Sequence, residues 1–133
     1  MKTYVLDAQA VLAFCLGERG AHIVENLLLE GHAGRAALLM SVVNWGEVYY
    51  ALVRKQGKQA ADAWLTDFGR LPVRLVNVDR EMAFAAAELK ANRRLPYADS
   101  FAAAVATLSN GTVVTGDSEF ELAEPEVSIL WLR

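Results

Sequence analysis

The chain is predicted to be α/β, one domain spanning residues 1–133 with a mostly parallel five-stranded sheet flanked by helices on both faces. Three observations predict it. Five short runs rich in β-branched residues are separated by stretches of helical periodicity. Most of those runs are apolar throughout, as strands buried on both faces are. And 133 residues suffice for one core, with no room for a second.

The first strand is Thr3–Leu6 and the second Leu38–Val42. Pro72 breaks the chain before the third, Val73–Val78. Asn110-Gly111 launches the fourth, Thr112–Thr115, and Pro125 precedes the fifth, Val127–Leu132. Val24, Leu27 and Leu28 mark a helix before Gly31. Trp45, Val48, Tyr49, Leu52 and Val53 fall at i, i+3, i+4, i+7, i+8, one full helical stripe. Ala61, Trp64, Leu65 and Phe68 repeat that spacing, and so do Met82, Ala85, Ala86 and Leu89. Tyr97–Leu108 is apolar almost all round, which places it deep inside, its alanines allowing close approach. Strands alternating with helices make a parallel sheet with right-handed crossovers.

Composition narrows the function classes. Hydrophobic residues are 54% and charged ones 22%, which excludes a disordered chain. The single cysteine, Cys15, excludes an internal disulfide framework and a cysteine-based zinc site. No apolar run approaches the roughly 18 residues of a membrane span. The N-terminal Met1–Leu6 begins like a signal peptide, but Asp7 and Gln9 interrupt it, so a cytoplasmic location is expected. A net charge of −3 is wrong for gripping duplex DNA by charge alone. Local cations, or metal ions held by carboxylates, would offset it.

Parallel sheets carry their sites at the carboxyl ends of their strands. Asp7 directly follows the first strand. Glu47 is expected in the first turn of the helix after the second, and Asp99 in the first turn of the long apolar helix. Asp117 follows the fourth strand. Each also has a structural explanation, since helix starts favour acids and caps. Asn44 with Glu47 reads as a capping box, and Asp117 as the N-cap of Ser118–Leu122. Asp79, opening Asp79-Arg80-Glu81-Met82, reads as a plain N-cap. Four acids at one edge, however, repel unless protons or a cation offset them. An all-oxygen ligand set suits Mg²⁺ or Mn²⁺, not zinc.

Val5-Leu6-Asp7, Glu47 near a helix start, Pro96-Tyr97-Ala98-Asp99-Ser100 and Thr115-Gly116-Asp117-Ser118-Glu119-Phe120, in that order, resemble a PIN domain across essentially the whole chain. Within that family the chain looks most like the single-domain VapC-type toxins. The resemblance implies metal-dependent cleavage of RNA by Mg²⁺ or Mn²⁺. Asp7 and Asp99 would be the leading metal ligands, Asp117 the next, and Glu47 a ligand or the holder of the attacking water. Thr115 would support them from behind, or is an ordinary strand threonine. The resemblance also implies a homodimer and a small antitoxin covering the site. Many relatives carry a small hydroxyl residue soon after the first aspartate, where this chain has Ala8 and Gln9.

Arg54, Lys55 and Lys58, and Lys90, Arg93 and Arg94, form two cationic clusters. Arg54, Arg93 and Arg94 are candidate phosphate contacts, unless these cations merely answer helix C-termini. Trp45, Tyr49 and Trp64 are core aromatics or stacking platforms. His22 and His32 read as surface residues. The positive mean hydropathy, +0.21, suits a domain with a partner-binding patch. Two competing readings remain: a non-catalytic PIN-like module that binds RNA or protein, and a phosphate-accepting receiver-like domain. The latter would want paired acids after the first strand, where Asp7 stands alone. No G-x-G-x-x-G follows that strand, which argues against a dinucleotide-binding enzyme.

Overall fold

The computed structural model describes residues 1–133. Its strands are β1 (Lys2–Leu6), β2 (Ala36–Ser41), β3 (Val73–Val76), β4 (Thr112–Thr115) and β5 (Ser128–Trp131). Its helices are α1 (Ala8–Leu16), α2 (Ala21–His32), α3 (Val42–Gln56), α4 (Lys58–Phe68), α5 (Arg80–Arg93) and α6 (Tyr97–Ser109). A 3₁₀ helix, Ser118–Ala123, joins β4 to β5.

The five strands form one sheet in the order β3-β2-β1-β4-β5, every pair parallel. The chain builds outward from β1 through β2 to β3. It then returns across the sheet through α5 and α6 to lay β4 on the other side of β1. This reversal beside β1 opens a crevice at the carboxyl ends of the strands, where such sheets bind ligands.

Successive strand residues point to opposite faces. Leu6, Leu38, Met40 and Val114 enter a core with α1, α2, α3 and α4. Their neighbours Val5, Leu39 and Val113 enter a second core with α5, α6 and the 3₁₀ helix. The expected two-faced architecture is thus present. Ala102, Ala103 and Ala104 are fully buried. Trp64 stacks obliquely on Trp45 and Phe68, with ring centroids 6.3 and 5.2 Å apart. The Tyr49 hydroxyl donates to Asp62 at 2.6 Å. These rings belong to the first core and its margin. His22 and His32 are exposed.

Three local expectations need correction. β2 ends at Ser41, whose hydroxyl accepts from the Val43 amide and caps α3. Asn44 is therefore inside the helix and is not its cap, and Glu47 lies in the second turn. β3 stops at Val76, not Val78. Finally, α1 has no counterpart in the helical stripes of the sequence. Its segment, Ala8–Leu16, is apolar except for Gln9, so no polar face reveals its period.

Candidate functional site at the carboxyl ends of the strands

Asp7, Glu47, Asp99 and Asp117 line one cleft of about 250 Å³, together with Gln9, Glu18 and Lys55. Four distant stretches of chain thus meet at the edge the sequence indicates.

Asp7 is only 3% exposed. It is the N-cap of α1, its Oδ1 accepting from the Ala10 amide at 2.8 Å. Its Oδ2 accepts from the Thr115 hydroxyl at 2.5 Å. The same hydroxyl oxygen accepts from the Asp117 amide at 3.0 Å. Thr115 thereby ties the end of β4 to the acid that follows β1. Asp117 caps the 3₁₀ helix through Oδ1 and the Glu119 amide, at 3.0 Å, as the sequence suggests.

Asp99 stands in the first turn of α6. Its Oδ2 is buried and has no hydrogen-bond partner. Such an atom loses its hydration without compensation, so a ligand or a proton is expected there. Glu47 accepts from Asn44 Nδ2 at 2.8 Å. That amide also donates to the Ala98 carbonyl at 3.0 Å, joining α3 to the start of α6. Asn44 is 1% exposed. It is one of the residues of the site that sequence reasoning missed, because its spacing from Glu47 imitates a cap.

The electrostatics follow from crowding. Burial pushes the Asp7 carboxyl up to about 7, aided by Asp117 and Glu47 and opposed by the Thr115 and Ala10 hydrogen bonds. Burial also raises Asp99 to about 7, with further repulsion from Asp117, Asp7, Glu47 and Glu119. Glu47 is raised chiefly by burial, against the Asn44 hydrogen bond, with Asp117 adding to it. Acids that resist ionising together are those a divalent cation would relieve. The donor set is all oxygen, and Asp99 Oδ2 awaits a partner, so the residues fit a hard ion such as Mg²⁺ or Mn²⁺. The side chains as they stand do not gather three such ligands about one point.

The basic candidates fall elsewhere. Arg93 pairs with Glu126 beside a separate hollow between α5 and α6. Arg94 is the exposed, left-handed C-cap of α5. Arg54 is exposed, its guanidinium 5.1 Å from the Tyr50 ring centroid. Lys58 pairs with Asp62 at 2.6 Å. Lys55 is the cation that lines the acidic cleft.

No curated protein sequence matches the chain. Its fold is similar to that of VapBC2 from Rickettsia felis, solved bound to a DNA fragment from the promoter. Identity is 18% and the TM-score 0.76, over 98% of this chain and 99% of that one. The DNA-bound VapBC of Salmonella typhimurium gives 18% identity and a TM-score of 0.76, covering 100% of both chains. VapC20 of Mycobacterium tuberculosis, described as a sarcin-ricin-loop-cleaving toxin, gives 19% and 0.71, over 91% of this chain and 95% of that one. At these identities the likeness is one of fold. The sequence itself matches the PIN domain family over residues 4–124, which sets the receiver-like reading aside. With that match spanning nearly all of the cleft's scaffold and the positions of Asp7, Glu47, Asp99 and Asp117, the chain belongs to the PIN domain family.

Proposed function

We propose that the chain is a Mg²⁺- or Mn²⁺-dependent endoribonuclease that acts as the toxin of a toxin–antitoxin pair. One observation carries the reading: Asp7, Glu47, Asp99 and Asp117, from four separate stretches of the chain, share a cleft in which Asp99 Oδ2 is buried without a partner.

Asp7, Asp99 and Asp117 would hold the ion, with Glu47 as a further ligand or the holder of the attacking water. When bound, the ion supplies charge neutralisation at the phosphate and an acidified water. The chain's own groups do the rest. Thr115 fixes the Asp7 carboxylate, leaving its orientation little freedom. Asn44 engages Glu47 Oε1, which leaves Oε2 as the oxygen that would hold the attacking water and accept its proton if Glu47 is not itself a ligand. The water oxygen then bonds to phosphorus, the phosphorus–oxygen bond to the leaving ribose breaks, and that oxygen is protonated from solvent. Lys55 offers a cation at the cleft for a phosphate. Arg54 and Arg94, both exposed, are candidates for the flanking backbone.

The relatives of similar fold include toxin–antitoxin complexes, which supports a small antitoxin as partner. An acidic cleft favours a covering segment with a basic side chain. A homodimer and a cytoplasmic setting belong to the same proposal. No helix is long and apolar enough to cross a membrane.

The second reading, a non-catalytic PIN-like binding module, draws on the failure of three acids to converge. One experiment decides. RNA is incubated with the purified chain and Mn²⁺, beside Asp99→Asn, Asp7→Asn and an EDTA control. Cleavage by wild type should fall at least about 100-fold in either variant and stop with EDTA. Equal cleavage by wild type and variants refutes the assignment. RNA binding without cleavage establishes the second reading.

A further inference from the structure

Gln9 occupies the neighbourhood where relatives are expected to carry a small hydroxyl residue. Its side chain reaches across the cleft edge, Oε1 accepting from the Gly116 amide at 2.5 Å. Gly116 is the middle of the Thr115-Gly116-Asp117 corner. A Cβ there would stand 2.9 Å from Gln9 Oε1 and 3.2 Å from Nε2. The close approach therefore depends on a glycine at this corner.

The Thr115–Gly116 peptide is held from both sides. Its carbonyl accepts from the Leu132 amide at 2.9 Å, and its N–H is taken by Gln9. The next amide, that of Asp117, is taken by the Thr115 hydroxyl. Of these three backbone bonds, only the one from the Gly116 amide goes to a group outside the β4–β5 side of the sheet. Its source is α1, the helix capped by Asp7. One helix therefore presents an acid and, two residues on, a hold upon the turn that presents another.

We propose that Gln9 is a positioning residue that sets the separation of Asp7 and Asp117 for binding a divalent cation. The proposal rests on the metal-dependent reading above and assigns a role to a residue that reading leaves idle. The Gln9 amide can face the Gly116 N–H only through its oxygen, so the bond also fixes the orientation of the side chain. Loss of the bond leaves the Thr115–Gly116 peptide held through its carbonyl alone and leaves the Thr115 hydroxyl as the remaining tie between the Asp117 turn and the start of α1. Outer-shell partners of metal ligands typically contribute about 10- to 100-fold in affinity.

The test is Mn²⁺ binding by calorimetry on the full chain without RNA, in wild type, Gln9→Ala and Gln9→Met. Methionine keeps the length and bulk of glutamine and removes the acceptor. Amide proton NMR reports Gly116 directly. The expected result is about tenfold weaker Mn²⁺ binding in both variants, with faster hydrogen exchange at Gly116 and an unchanged circular dichroism spectrum. Gln9→Asn, one methylene short, should fail to restore either readout. Affinity within about twofold of wild type in Gln9→Met overturns the positioning role, because packing alone would then suffice. Wild type that binds no Mn²⁺ instead overturns the metal-dependent reading itself, a separate and recognisable failure.

Discussion

Asp7 serves both as the cap of α1 and as an acid of the cleft, and the two duties separate under substitution. Asparagine caps nearly as well as aspartate, whereas alanine does not. Asp7→Ala should therefore unfold at lower urea than Asp7→Asn, by about 1 kcal/mol, while both lose the proposed cleavage. Equal urea midpoints would show that the Ala10 hydrogen bond contributes nothing. At this scale the sequence was informative where a residue follows a strand or opens a helix. Asp79 accepts from the Met82 amide and Asp117 from Glu119, the capping roles their spacing suggests. It was uninformative where partners lie far apart in the chain. Nothing local relates Arg93 to Glu126, Gln9 to Gly116 or Asn44 to the Ala98 carbonyl. Those three contacts are made by tertiary folding alone, and two of them shape the cleft.

Among the elements, α6 has the least tolerance. It runs between α5 and the sheet, with Phe101, Ala102, Ala103, Ala104, Val105 and Ala106 all buried. Small side chains let backbones approach, so an added isobutyl group has nowhere to go. Ala103→Leu should cost about 1–3 kcal/mol of stability by overpacking, read from chemical denaturation. A neutral result would mean that α6 can shift without loss. The same alanine-rich pattern made α6 easy to recognise in the sequence. Its length and its flanking Pro96 and Asn110-Gly111 bound it. The equally apolar α1 escaped notice because it is only 9 residues long and runs on directly from β1 and Asp7. The missed helix is also the one that carries Gln9, so the unseen element and the unseen contact are a single omission. For α3 the error was one of register. Ser41 is the last residue of β2 and the cap of the helix at once, so no loop separates the two elements.

For the molecule as a whole, the cleft sets stability against function. Asp7 and Asp99 ionise near pH 7 in the fold but near 3.8 when the chain is unfolded. Between those values the folded state keeps protons that the unfolded state has released. Stability therefore falls as pH rises through that window. The metal-free protein should be more resistant to urea at pH 5 than at pH 8. Asp99→Asn should flatten that slope and stabilise the EDTA-treated protein at pH 8. Added Mn²⁺ should raise the midpoint more at pH 8 than at pH 5, because it binds the ionised form. A midpoint that rises from pH 5 to pH 8 without metal would contradict the crowded cleft. The four acids sit at positions 7, 47, 99 and 117, and β4 pairs with β1 across more than a hundred residues of intervening chain. During synthesis on a ribosome, the first acid emerges long before the strand that gives Thr115 to it. No nascent fragment short of that strand can own a finished cleft, so the chemistry proposed for it stays silent until β4 has left the ribosome.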